Sequence, residues 1–270
     1  SVVDENAQQT LRRDRLTWDA RYTLGSAWAD QLQTVLSLQD TAAQDDGRTL
    51  RQDGGARIRN TSYNEHAWQA GVQAGKTLPL SAQWSQKLTY GLDYASTAIS
   101  SWFGGSDPNG SYTPRKYFPD TRDTSTALYA QSEFISERWS ITPGLRLEYF
   151  ALDVINQDGY FSATPGSKLS TTPGKSLSGS NASPKLGVLY RATPQWSVFG
   201  NYASGFRAPD ATQLNGFAEN VPGPTGTTFV SLLSNPDLKP ETSRSLELGV
   251  RAAIGAGRGQ SDESASARGI

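Results

Sequence analysis

Two short runs in this chain hold residue types suited to recognition chemistry. They are Phe206-Arg207-Ala208-Pro209 and Asn235-Pro236-Asp237-Leu238, with residues 210–234 between them. Arg207 carries a planar guanidinium that can hold a carboxylate through two parallel N–H donors, or can pair with an acid such as Asp237. Pro209 and Pro236 fix φ and lack a backbone donor, so each ends ladder pairing where a strand gives way to a loop. Phe217 and Phe229, inside the intervening stretch, can offer apolar contact to a ligand. Other motifs lead away from chemistry. Asp107-Pro-Asn109-Gly-Ser111 begins like a calcium loop, but Phe118 stands at the twelfth position, where an acid is needed, so the run reads as a turn. Cys is absent, and no Ser-His-acid set can be assembled around the single His, His66. A thiolate metal site and nucleophilic catalysis are therefore not expected, and the chain reads as a non-enzyme.

The elements that must position these runs are legible as period-two alternation. From Trp139 to Tyr149 the odd positions read Trp139, Ile141, Pro143, Leu145, Leu147 and Tyr149, while Arg146 and Glu148 fall on the even ones. Successive side chains of a strand point to opposite faces, so one face is apolar and the other polar. An aromatic stands at each end of the apolar face. At about 3.3 Å rise per residue and a tilt near 45°, this stretch climbs about 23 Å, close to the ~25 Å apolar band of an outer-membrane barrel. The layout recurs at Leu16–Leu24, Trp68–Ala74, Trp84–Tyr94, Leu186–Tyr190, Trp196–Tyr202 and Leu246–Val250. About nine strands are expected. Leu88, Tyr90, Leu92, Leu145, Leu147 and Tyr149 should face lipid, with Lys87, Asp93, Arg146 and Glu148 inside. His66 shares parity with Trp68 and Ala70, which places it on the outer face near the upper aromatic girdle.

Connections alternate in length. Short ones lie near Gly25–Asp30, Pro79–Gln83, Ser136–Arg138 and Thr193–Gln195, and long polar ones span about 40–57, 101–123, 153–181 and 207–240. Short turns on one side and long loops on the other are the layout of an antiparallel transmembrane β-barrel with periplasmic turns and extracellular loops. A soluble sandwich would also alternate, but its strands average only about 5–6 residues and need no terminal aromatics. Composition agrees. The 270 residues carry 25 Lys+Arg against 26 Asp+Glu, so no basic excess exists to hold nucleic acid. Mean hydropathy is −0.53, and no run approaches the ~18 apolar residues of a spanning helix. Residues 1–251 read as barrel. Residues 252–270, rich in Ala, Gly and Ser, read as an irregular tail that cannot bury apolar surface.

The two runs, with Ala127-Leu-Tyr-Ala-Gln131, Pro143-Gly-Leu-Arg146 and Ser183-Pro-Lys-Leu-Gly187, resemble the TonB-dependent outer-membrane receptors. Among these the haem and haemoglobin receptors carry a Phe-Arg-Ala-Pro box and an Asn-Pro-Asp-Leu box flanking one extracellular loop. The resemblance implies a Gram-negative outer membrane and uptake of an iron compound, with haem as transported ligand and no intrinsic cofactor. It further implies outer-membrane lipid and an inner-membrane TonB energy transducer as partners, the latter acting through a plug. The family barrel has about 22 strands, so nine strands starting at Ser1 rather than Met are expected to be a piece of a longer chain. One departure stands out. The haem branch usually carries an iron-ligating His in this loop, whereas residues 210–234 hold no His, Tyr, Met or Cys. A siderophore or other nutrient receptor is the alternative within the class, and a passive porin or an adhesin the alternative outside it.

Overall fold

A computed structural model describes residues 2–52, 54–106, 115–164, 169–219, 230–232 and 234–253. The strands are β1 (Val2–Thr23), β2 (Gln31–Arg51), β3 (Ala56–Pro79), β4 (Ser85–Ser106), β5 (Asp120–Ile135), β6 (Trp139–Asn156), β7 (Leu177–Arg191) and β8 (Trp196–Arg207). A five-residue helix α1 (Ala211–Asn215), a short pair β9 (Ala218–Glu219) and β10 (Val230–Leu232), and β11 (Glu241–Ala252) follow. Nine of the strands form one antiparallel sheet in the order β1-β2-β3-β4-β5-β6-β7-β8-β11, an arc of barrel wall that does not close on itself.

Register carries the alternation across the whole wall. Trp18 lies opposite Leu36, Leu36 opposite Ala70, Ala70 opposite Tyr94, Tyr94 opposite Thr126 and Thr126 opposite Tyr149. Directly paired residues share a face, so this row is the upper aromatic edge of the outer surface, and Trp68 packs on Tyr94 with ring centroids 4.5 Å apart. At the lower edge Trp139 lies opposite Tyr190, with centroids also 4.5 Å apart. Between the edges Leu92, Leu128 and Leu147 form a second outward row. The inner face is polar. There Arg146 reaches Asp93 at 2.8 Å and Glu148 at 3.0 Å, and its guanidinium lies 5.8 Å from the Tyr129 ring centre. Tyr129 can lie across β4 only because Gly91 has no side chain, since a Cβ there would sit 2.5 Å from the Tyr129 hydroxyl.

The expected faces are found, and His66 stands as expected on the outer parity, exposed, its Nδ1 against the carboxylate of its register partner Asp40. The lengths of the upper connections need correction. The polar stretch 40–57 is not a long loop: β2 and β3 stay paired from Gln31 opposite Gly75 up to Leu50 opposite Ala56, and the strands themselves reach Arg51 and start again at Ala56. Above the bilayer both faces of a hairpin meet water, so alternation disappears while the ladder continues. The loops after β4 and β6 remain long but are shorter than expected, since β4 runs to Ser106, β6 to Asn156 and β7 begins at Leu177, whereas the one after β8 keeps its expected length, from Arg207 to Glu241. The calcium-like run 107–111 lies outside the described residues, as does the tail beyond Ala253; β11 itself extends through Ala252.

Leu147 sits in the middle of the outward apolar band. Leu147→Arg should destabilise the folded wall in lipid by about 2–4 kcal/mol, read from denaturant unfolding in vesicles. An unchanged midpoint would mean that this face does not meet lipid.

Candidate functional site

The extracellular mouth is built where β8 breaks away from its neighbour. Pairing of β8 with β7 ends at Ala203, while pairing with β11 continues to Arg207 opposite Glu241. Phe206 has the parity of the outward Tyr202, yet its ring packs on Phe150 of the inner face, with centroids 5.2 Å apart. Phe150 finds room because residue 179 is glycine, where a Cβ would lie 2.9 Å from the ring. The strand end thus turns inward over the lumen.

Ala208 and the buried Pro209 lead into α1. Asp210 caps this helix, accepting from the Gln213 backbone N–H at 2.8 Å, while the Gln213 side chain accepts from the Asp210 N–H at 3.1 Å. One turn of helix is marginal alone. It is held by Leu214, fully buried with Ala211 against Leu152 of β6, and by Phe118, Leu177 and Leu238 packed around them. Asn215, 2% exposed, accepts from the Lys175 N–H at 2.7 Å and donates to the Lys175 carbonyl at 2.9 Å. Phe217 is half-buried, its N–H bonded to the Tyr117 carbonyl at 2.7 Å.

The second run closes the loop. Asn235, Pro236, Asp237 and Leu238 form a turn in which the Leu238 N–H meets the Asn235 carbonyl at 3.2 Å and the Asp237 N–H the Asn235 side-chain oxygen at 3.3 Å. Pro236 therefore sits in the turn, and Pro240 immediately precedes β11. Leu238 joins the Leu214 cluster, and Lys175 Nζ donates to the Pro236 carbonyl at 2.7 Å and lies 3.7 Å from Asp237. The two runs, far apart in sequence, meet here. Arg207 does not meet Asp237: it is exposed and has no ion pair among the described residues, and Lys175 takes the acid. Phe229 lies outside the described residues. Sequence reading missed Asn215, inside the loop itself, together with Lys175 of the β6–β7 loop and Leu152 of β6, none of which carries a local signature.

Below α1 a cleft of about 280 Å³ opens between Phe150, Phe206 and Pro209, with Asp123, Glu148 and Asp210 on its wall. Asp123 lies three residues beyond Thr126, above the upper aromatic row and outside the membrane-crossing part of β5. Burial, and secondarily the charge of Asp210, push its carboxyl up to about 6. Apolar rings beside an acid that gains a proton near mild acidity can hold an apolar ligand and offer it hydrogen bonds. Among the described residues no cluster of His, Cys, Asp or Glu is placed to hold a metal ion.

A carboxyl raised in the folded state binds its proton more readily there than in the unfolded chain, where about 3.9 is usual. Its stabilising contribution is complete below that value and lost as pH rises through about 6. Asp123→Asn should therefore stabilise the mouth near neutral pH and flatten its pH dependence between about 4 and 6. Amide hydrogen exchange of residues 210–217, measured across that range, checks this. A slope unaltered by the substitution would assign the pH response elsewhere.

Residues 2–267 match the family described as TonB dependent receptor-like, beta-barrel. The chain is 35% identical over 79 residues to the iron-regulated outer membrane virulence protein of Vibrio cholerae serotype O1, covering 29% of this chain and 11% of that protein. It is 22% identical over 165 residues to the heme/hemopexin utilization protein C of Haemophilus influenzae, covering 60% of this chain and 20% of that one. Among solved structures, the Serratia marcescens hemophore receptor HasR, in complex with its hemophore HasA and heme, superposes with a TM-score of 0.59 at 19% identity. That match covers 91% of this chain and 36% of HasR. The copper transporter OprC gives a TM-score of 0.63 at 13% identity, covering 91% and 37%. The chain thus spans a tenth to a fifth of the curated relatives it matches and just over a third of the solved ones. The family is one of receptors and transporters rather than enzymes, and its place is the Gram-negative outer membrane. The chain belongs to the TonB-dependent receptor family and forms part of its β-barrel.

Proposed function

We propose that this wall belongs to a receptor that carries an iron compound across the outer membrane, with haem as the ligand. The observation that carries the reading is the mouth itself, where the Phe206–Pro209 and Asn235–Leu238 runs are drawn together at the base of one long loop. Relatives named for heme/hemopexin utilization and for iron regulation support it. Lipid surrounds the outward face, the long loops meet ligand, and a plug linked to the inner-membrane TonB transducer supplies the energy of transport. Arg207, free of ion pairs among the described residues, is suited to a ligand carboxylate. Residues 210–234 supply shape, apolar contact through Phe217 and Phe229, and hydrogen bonds, but no strong iron ligand. Axial coordination then comes from elsewhere in the receptor or from the haem as delivered.

A ferric siderophore is the second reading, favoured by that same lack of His, Tyr, Met and Cys in the loop. A haem titration of the complete receptor separates the two. Replacing Phe217 and Phe229 by Ala should weaken haem binding by about tenfold, the loss of two aromatic contacts, and leave the Soret band in place because neither ring touches iron. A large Soret shift, or indifference of haem binding to the substitutions, would overturn the haem reading. Indifference together with tight binding of a ferric siderophore would establish the second one.

A further inference from the structure

Lys175 stands at the end of the β6–β7 loop, just before β7 begins at Leu177, and makes two kinds of contact at once. Its backbone N–H and carbonyl are both bound by the side-chain amide of Asn215, in the manner of one rung of a sheet. Its ammonium, 61 residues away in sequence from its partner, is bonded to the carbonyl of Pro236. The first contact reaches the departing end of the β8–β11 loop, and the second reaches its returning end. The two limbs of that loop pair with each other further in, through β9 and β10, with Val230 opposite Glu219 and Leu232 opposite Ala218; at the base of the loop they share Lys175 and the apolar packing of Leu214 with Leu238. Asn215 is nearly inaccessible to water, so its amide has no substitute partner if Lys175 moves away. A buried side-chain amide with both groups satisfied by one residue of a different loop is a directional constraint that apolar packing alone does not impose.

We propose that Asn215 and Lys175 are positioning residues that lock two extracellular loops into one unit through two separable joins. The backbone of Lys175 holds α1, and its ammonium holds the Asn235–Leu238 turn. Movement of either loop then carries the other with it, and the spacing of the two runs that frame the mouth is set by a residue belonging to neither. Both joins rest only on contacts within the chain, whatever ligand the receptor takes, so their absence would leave the haem reading untouched.

This chain contributes no cysteine, so in the complete receptor folded in lipid, with any cysteine elsewhere replaced by serine, spin labels can be placed on cysteines introduced at the exposed positions Thr171, Thr212 and Lys239. Thr171–Thr212 reports the α1 join, and Thr171–Lys239 the turn join. Asn215→Leu fills the buried volume but cannot bridge, and should broaden the first distance distribution while leaving the second narrow. Lys175→Met keeps the backbone contacts and removes the ammonium, and should do the reverse. Heat-modifiable gel migration, unchanged in both variants, would show that the barrel itself is intact. Two distributions that stay narrow in both variants would assign the join to the Leu214–Leu238 packing and the β9–β10 pair, and overturn the proposal. Broadening of both distances by each substitution would overturn it equally, since the joins would then not be separable.

Discussion

Within hydrocarbon no water is present to satisfy a backbone N–H or C=O, so a chain crosses as strands only if every strand is paired on both sides. The unbroken ladder from β1 to β11 answers that demand for seven of its nine strands. Everything else in the wall is set by the ladder's register. A slip of one residue between β5 and β6 would bring Arg146 to the outer face and Leu147 to the inner one, at a cost of about 2–4 kcal/mol for the arginine alone. Asp93 and Glu148 then deepen the preference, because they hold the guanidinium on the inner face, where Tyr129 lies across the gap that Gly91 leaves open.

The mouth depends on the ladder by departing from it. Once β8 separates from β7 above Ala203, the upper end of the strand has one neighbour, β11, and is free to lean inward. Phe206 and Phe150 supply the apolar contact that makes leaning favourable, and Pro209 prevents the strand from continuing. The long loop therefore begins over the lumen rather than outside it. Its first turn of helix, too short to persist alone, exists because Leu152 presents an apolar surface at the right height on β6.

How much of this was legible in sequence follows from the range of the interactions. Strand faces, aromatic edges and the short turns could be read directly, because alternation is local and lipid enforces it on every strand. Strand ends above the bilayer could not. Residues 40–57 look like loop because both of their faces are wet, yet Asp40 through Leu50 keep their partners on β3. The two loop runs were visible as motifs, but their meeting was not. It depends on Lys175, Asn215 and Leu152, three residues from separate segments whose types are unremarkable where they stand. The suggested Arg207–Asp237 pair failed for the same reason, since a lysine from another loop reaches the aspartate first.

The balance of forces at the mouth explains why both apolar and polar contacts are present. Full burial of a leucine such as Leu214 contributes roughly 1.5–3 kcal/mol, whereas an exposed pair such as Lys175 with Asp237 contributes about 0–1 kcal/mol. Apolar burial therefore supplies most of the free energy that folds the loop ends down. It is indifferent to small rotations of one loop against the other, because a leucine contact is nearly isotropic. The Asn215 amide is not indifferent: turning α1 would strand a buried donor and a buried acceptor together, each costing about 1–3 kcal/mol. Packing thus brings the loop ends together, and the hydrogen bonds to Lys175 select the one arrangement in which they sit. Asp123 opposes both slightly at neutral pH, since its partly buried charge faces Asp210 at the foot of the same helix. A mouth held firmly by packing, oriented by a few buried bonds and loosened by one acid can stay assembled while its loops remain able to shift.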